Sequence, residues 1–186
     1  MVVLTIPENY GLVLFMALNL ALFVTLAGFF LGGGGRKKAF TPEVLSKFED
    51  DHTKAFGKDS KVDKQGYPDN GCSRYSKAMP YKQWFEYNKG QRTHQELMDV
   101  VTPILVMALV SGLHYPKVTA YLLFVFILAH ALSIAFGGDV AKKGELHGLK
   151  ALSQWLSSFS MIGLVYYSLK GGLIAAQLIG PDAKAF

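Results

Sequence analysis

The chain has 186 residues, of which 51% are hydrophobic and 18% are charged, and its mean hydropathy is +0.24. This composition excludes a disordered chain and a typical water-soluble domain, and it favours a single domain that lies in a membrane. The formal net charge of +5 indicates membrane topology rather than nucleic-acid binding, because the basic residues cluster between apolar segments. Cys72 is the single cysteine, which excludes an internal disulfide and is typical of a reducing compartment.

Four stretches carry no charged residue, at 10–31, 100–115, 118–138 and 151–169. They predict four transmembrane helices, at about 10–31, 93–114, 117–137 and 150–170. The first stretch is too long for the apolar core of a signal peptide, so we interpret it as an uncleaved anchor. Four glycines at 32–35 end this helix, and the basic run Arg36-Lys37-Lys38 follows it. By the positive-inside tendency, the first and third loops face the cytosol or its organellar equivalent, and both termini face away.

Residues 39–90 form a long insertion between the first two helices. Thr41-Pro42-Glu43 combines an N-cap residue, a proline at the first helical position and an acid in the first turn, which predicts a surface helix over 42–56. A charged loop follows, and then a group of aromatic residues alternates with lysines, which is typical of a belt at the membrane interface. The expected fold is an all-α integral membrane protein, a four-helix bundle forming one domain over 1–186 with a long polar first loop.

The start of the second transmembrane helix carries the main candidate site. On a helix, Arg92, Glu96 and Asp99 share one face, and Gln95 lies beside them. Ionisable groups placed where lipid excludes water are costly unless they pair or face an aqueous crevice, so this pattern predicts a functional site. An ion pair between Arg92 and Glu96 at the membrane surface is the structural alternative.

Four short segments, in this order, resemble the membrane-associated proteins in eicosanoid and glutathione metabolism (MAPEG), and among them the type-three microsomal glutathione transferases. They are Asn-Tyr-Gly-Leu-Val-Leu at 9–14, Arg-Lys-Lys at 36–38, Gln-Arg-Thr-His-Gln at 91–95 and Gly-Leu-His-Tyr-Pro-Lys-Val at 112–118. The resemblance implies a homotrimer of four-helix bundles, with glutathione as co-substrate bound between subunits. It also implies conjugation of glutathione to lipophilic electrophiles, or reduction of lipid hydroperoxides, in the endoplasmic reticulum or in a mitochondrial or plastid membrane.

Matched position by position, the resemblance places the glutathione-binding residues at Arg92, Gln95, Glu96, Asp99 and His130. His130 stands where the family has a glutathione-binding arginine, Glu96 where it usually has an asparagine, and Asp99 where it usually has a glutamate. The cation that stabilises the glutathione thiolate has no clear counterpart, and the candidates are Arg36, Lys142 and Lys143. The expected partners are the bilayer, lipophilic small molecules and other protein subunits, without nucleic acid.

Two other classes of function stay open from the sequence. A family member that has lost its chemistry would serve as an accessory subunit of a larger organellar membrane complex, with the insertion as its docking surface. A b-type haem protein would use His94 and His130 as axial ligands from neighbouring antiparallel helices. No zinc-ligand spacing, phosphate-binding loop or catalytic serine arrangement stands out in the sequence.

Overall fold

The computed structural model describes residues 6–136 and 145–176. Its elements in chain order are α1 (Tyr10–Ala27), a π-helical segment (Gly28–Gly33), α2 (Gly34–Ala39), α3 (Pro42–Ser46), α4 (Glu49–Phe56), a 3-10 turn (Ser76–Ala78), α5 (Tyr81–Gly112), α6 (Pro116–Phe136) and α7 (Glu145–Ala175). Across the described residues every regular element is helical, so the prediction of an all-α chain is confirmed.

Three helices of the described part are long and apolar enough to cross a membrane. They are the continuous helix Tyr10–Ala39, α5 and α6, so the chain has the helices of a membrane protein, as its sequence predicts. Gln154, several serines and Lys170 make α7 more polar, and α7 is not among the three. A fourth span, and with it the four-helix membrane bundle, therefore remains a prediction.

The chain forms two compact units. One, which we call the insertion unit, is Val24–Asp99; the other, the helical unit, comprises the described residues of Met1–Phe23 and Val100–Phe186. In the helical unit α6 packs along α7, and the Thr119 hydroxyl donates a hydrogen bond of 2.9 Å to the Ser111 hydroxyl. The fully buried apolar residues of this unit include Val13, Leu20, Ile104, Ala108, Leu123, Ala129 and Leu164.

The insertion unit is a folded body with its own core, which corrects the prediction of a polar loop with one surface helix over 42–56. That helix breaks at Lys47 and Phe48 into α3 and α4. Val44 and Leu45 of α3 are buried, whereas α4 has no buried residue. The core itself consists of Ala39, Phe40, Val44, Leu45, Val62, Met79 and Tyr87.

The prediction that the aromatic residues of 75–87 form an interfacial belt is wrong for Tyr87, which is buried, and stays a prediction for the others. Tyr87 belongs to the core of the insertion unit, and Tyr75 and Trp84 pack against that core. Tyr81, by contrast, is 75% exposed. The aromatic residues therefore stabilise the insertion, because burying large rings removes much apolar surface from water.

Helix α5 begins at Tyr81, well before the start predicted at position 93. Three side chains of its first turns bind backbone carbonyls elsewhere in the insertion unit. Gln83 Nε2 donates to the Ala39 carbonyl at 2.6 Å, and Trp84 Nε1 and Asn88 Nδ2 both donate to the Gly71 carbonyl, at 3.0 and 2.6 Å. These tertiary bonds hold the early turns in a helix although their sequence is polar.

Candidate functional site

The polar side chains predicted to form the site lie on one exposed face of α5. Arg92, Gln95, Glu96 and Asp99 are all exposed, whereas Leu97 between them is 1% exposed. We call these four residues the α5 stripe. No ion pair joins Arg92 to Glu96 in the described part of the chain, so the structural alternative of a simple surface pair is not formed.

The α5 stripe combines one cation, one amide and two carboxylates within about two helical turns. Met98, which is 50% exposed, lies beside Asp99, and the sequence from Val100 to Gly112 carries no charge. Charged groups of both signs therefore lie on α5 immediately before its uncharged, apolar part. Such an arrangement suits a polar, zwitterionic ligand that reacts with a partner dissolved in lipid.

The opposite side of this part of α5 packs closely on the π-helical segment of the insertion unit. A Cβ atom at Gly28 would lie 2.5 Å from His94 Nε2, so the imidazole occupies space that only glycine leaves open. The Gln91 side-chain amide donates to the Gly32 carbonyl at 3.4 Å. These contacts hold the helix that carries the α5 stripe, and they account for His94 as a packing residue.

Arg36, a candidate cation for thiolate stabilisation, is engaged within the insertion unit. Its Nη1 donates to the Gln65 carbonyl at 2.9 Å and its Nη2 to the Asp69 carbonyl at 2.5 Å, and its guanidinium lies 5.5 Å from the centre of the Phe40 ring. Arg36 therefore fastens the loop at 65–69 to the end of the first helix. The other two candidates, Lys142 and Lys143, lie outside the described residues.

His130 belongs to the helical unit, whereas the α5 stripe belongs to the insertion unit. Its Nδ1 lies 3.1 Å from the Phe126 carbonyl and 3.4 Å from the Ser157 hydroxyl, and its ring centre is 4.1 Å from that of Phe126. The contact with Ser157 joins α6 to α7, and together with the Phe126 carbonyl it accounts for a histidine in an apolar helix. Among the described residues, no group of three or more His, Cys, Asp or Glu side chains comes together as a metal site.

Sequence reasoning missed a buried carboxylate in the insertion unit. Asp69 is 2% exposed, and it accepts hydrogen bonds from the backbone N–H groups of Gly71, Ser73 and Ser76, at 2.8, 3.2 and 2.7 Å. Burial raises the pKa of Asp69, but these three N–H donors outweigh it and hold the pKa below its ordinary value. The Pro-Asp-Asn-Gly pattern at 68–71 predicts a turn, but nothing in it signals burial.

A pocket of about 490 Å³ lies beside this buried carboxylate. Two of its wall residues, Gly71 and Ser76, donate their N–H groups to Asp69, and the Trp84 ring is fixed by its bond to the Gly71 carbonyl. The lining residues are Gly71, Cys72, Ser76, Lys77, Met79, Tyr81 and Trp84. All lining residues fall within 71–84, but the sequence does not predict the pocket, because the turn, the 3-10 turn and the start of α5 take their relative positions only on folding.

Comparison of the chain with protein-family models, with curated proteins and with solved structures finds no match in any of the three. The family resemblance therefore stays a prediction, and the assignment of the α5 stripe rests on its residues and their geometry.

Proposed function

We propose that this chain is a multi-pass membrane protein that binds glutathione along the α5 stripe and transfers it to lipophilic electrophiles. A single observation carries the proposal: four polar side chains are exposed together on a helix apolar enough to cross a membrane. None of the four side chains has a hydrogen bond or an ion pair to another residue that the structure describes. Exposed ionisable groups in such a helix call for a polar partner from outside the chain.

The charges of the α5 stripe complement those of glutathione. The tripeptide carries two carboxylates and one ammonium group, so Arg92 would bind a carboxylate and Glu96 or Asp99 the ammonium. Because the stripe faces outward, a second subunit could close the site from the other side, as the family resemblance implies. In the reaction the thiolate sulfur forms a bond to the electrophilic carbon, which loses its leaving group.

The thiolate must be stabilised by a cation near the bound sulfur. Arg36 already donates two hydrogen bonds to carbonyls of the insertion unit, so we assign it a structural role. Lys142 and Lys143 remain the candidates for the thiolate-stabilising group. Reduction of lipid hydroperoxides would use the same bound thiolate. Its sulfur would bond to the terminal peroxide oxygen, the O–O bond would break, and the lipid alkoxide would leave and be protonated to the alcohol. A second glutathione would then convert the resulting sulfenic acid to glutathione disulfide and water.

Calorimetry with glutathione on the detergent-purified protein tests the assignment. Arg92→Ala should weaken binding by roughly tenfold or more, because it removes a charge-assisted pair with a ligand carboxylate. Arg74→Ala is the matched control, since Arg74 is exposed and pairs with Asp51, and its affinity should equal that of the wild type. Unchanged affinity in Arg92→Ala would refute the site, and no binding by the wild type at millimolar glutathione would refute the function.

The insertion unit favours a second candidate function, that of an accessory subunit in a larger organellar membrane complex. A separate core of seven buried residues is more than a connection between two helices requires. The insertion would then be the surface that docks on the other subunits. Purification from native membranes under mild conditions distinguishes the two: a particle larger than a homotrimer, without glutathione binding, would favour the accessory role.

A further inference from the structure

The pocket of the insertion unit is separate from the α5 stripe. Trp84 in the pocket wall precedes Arg92 by eight residues on α5, which is about 12 Å along the helix axis. Its volume, about 490 Å³, lies in the range of small-molecule sites. The pocket therefore has room for a ligand of its own.

Part of the pocket wall, formed by Gly71, Ser76, Met79 and Trp84, is held in place before any ligand arrives. The Asp69 carboxylate fixes the backbone at Gly71 and Ser76, and the Trp84 indole is anchored by its 3.0 Å bond to the Gly71 carbonyl. Met79, which is 8% exposed, belongs to the core of the insertion unit. Because these groups are already ordered, the free energy of binding is not reduced by the cost of ordering them.

The chemistry of the lining is apolar with one positive charge. Met79, Tyr81 and Trp84 supply apolar and aromatic surface, and the centres of the two aromatic rings are 5.9 Å apart. Lys77 is the charged residue of the lining, and it is exposed; no carboxylate side chain lines the pocket. The walls are therefore complementary to a ligand with an apolar body and one negative charge.

We propose that this pocket binds a free, single-chain amphipathic carboxylate. Its apolar body lies against Trp84, Tyr81 and Met79, and its carboxylate pairs with the Lys77 ammonium. The proposal requires neither glutathione nor the α5 stripe, so it stands or falls independently of the proposed transferase activity.

Trp84 provides the readout, because the chain has only two tryptophans and Trp155→Phe leaves Trp84 as the single tryptophan, which can be excited selectively over the nine tyrosines. The full-length Trp155→Phe protein is placed in nanodiscs of neutral phosphatidylcholine, and dodecanoate brominated at its terminal carbon is titrated in. Bromine quenches indole fluorescence on contact. We expect saturable quenching of Trp84; quenching that rises linearly without saturation would overturn the proposal.

Two lysine variants in the same background test the role of charge. Lys77→Met should lower the affinity for the brominated carboxylate by roughly tenfold, because it removes the cation that pairs with the ligand. Lys82→Met is the matched control, since Lys82 is exposed on the same part of the chain but does not line the pocket; its affinity should be unchanged. A brominated quaternary ammonium amphiphile of equal length should give no saturable quenching, and equal saturable quenching by it, or no effect of Lys77→Met, would overturn the proposal.

Discussion

Asp69 shows how a buried charge can organise a segment that has little secondary structure. Its carboxylate accepts hydrogen bonds from three backbone N–H groups, and its backbone carbonyl accepts one from the Arg36 side chain. The three N–H groups would each lose their acceptor if the carboxylate were removed, and unpaired buried polar groups are costly. The stability of the insertion unit should therefore depend on this one side chain.

The substitution Asp69→Asn should lower the free energy of unfolding of the insertion unit by about 2 kcal/mol, because an amide presents one acceptor oxygen and its NH₂ group would face a donor. Thermal unfolding followed by Trp84 fluorescence in the Trp155→Phe background measures the loss. Asp50→Asn is the matched control, since Asp50 is exposed on α4. Equal melting temperatures of the two variants would contradict the structural role of Asp69.

The pH dependence of the same unfolding transition follows from the lowered pKa of Asp69. Its ordinary pKa is 3.8, and the folded protein holds it below that value. The contribution of Asp69 is therefore fully present above its unfolded pKa and is lost as the pH falls through the lower folded pKa. Melting temperatures measured at descending pH below 3.8 should fall more steeply for the wild type than for Asp69→Asn. Parallel curves would show that Asp69 does not contribute this linkage.

The sequence predicts a helix best where the signals within that segment, such as a proline at the first position or a long uncharged run, determine it alone. Pro42 begins α3 and Pro116 begins α6, and the uncharged stretches fall within long helices. The break between α3 and α4 and the early start of α5 depend instead on tertiary contacts, such as the bond from Gln83 to the Ala39 carbonyl. Periodicity in one segment carries no information about such a partner.

The two candidate sites differ in the same way. The α5 stripe lies on one helix, so the spacing of Arg92, Glu96 and Asp99 was enough to predict that they share a face. The pocket is built from three different elements within 71–84, which are brought together by contacts such as the bond from the Trp84 indole to the Gly71 carbonyl. A buried carboxylate in a sequence rich in exposed charges gives no local sign of its burial.

Close packing between the π-helical segment and α5 can be tested with paired glycine substitutions. Gly28→Ala places a methyl group 2.5 Å from His94 Nε2 and should lower the free energy of unfolding by about 1–3 kcal/mol. Gly33→Ala is the matched control in the same segment, because a Cβ there meets nothing within 4 Å. We expect it to be neutral or slightly stabilising. Apparent melting temperatures in detergent measure both.

The cause of the Gly28→Ala effect can be isolated by a double substitution. His94→Ala removes the ring that the new methyl group would contact. In the His94→Ala background, Gly28→Ala should therefore lower the free energy of unfolding only slightly. If the two substitutions were additive, the loss in Gly28→Ala would come from the helix backbone rather than from the contact with His94.

At the scale of the whole molecule, the distribution of basic residues predicts which side of the membrane each segment occupies. The run at 36–38 lies in the last turn of the first apolar helix, and Lys150 lies near the start of α7. The insertion unit and the start of α7 are therefore expected on the same, cytosol-like side. Helix α7 has 31 residues, which at about 1.5 Å each is longer than the roughly 30 Å of a hydrocarbon core. Its length permits a crossing that its polar residues make less favourable.

Labelling with a membrane-impermeant maleimide on sealed vesicles decides between three spans and four. Cys72 is exposed and is the only native cysteine, so it should react from the side that carries the insertion. In a Cys72→Ser background, the thiol introduced by Lys150→Cys should react from that same side, and the thiol introduced by Ala176→Cys from the opposite side, because a crossing helix separates its two ends. If both introduced thiols reacted from one side, α7 would lie along the membrane surface with its apolar face in the interface. The four-helix membrane bundle would then be wrong, and a glutathione site of the expected family type would lose the helix that should close it.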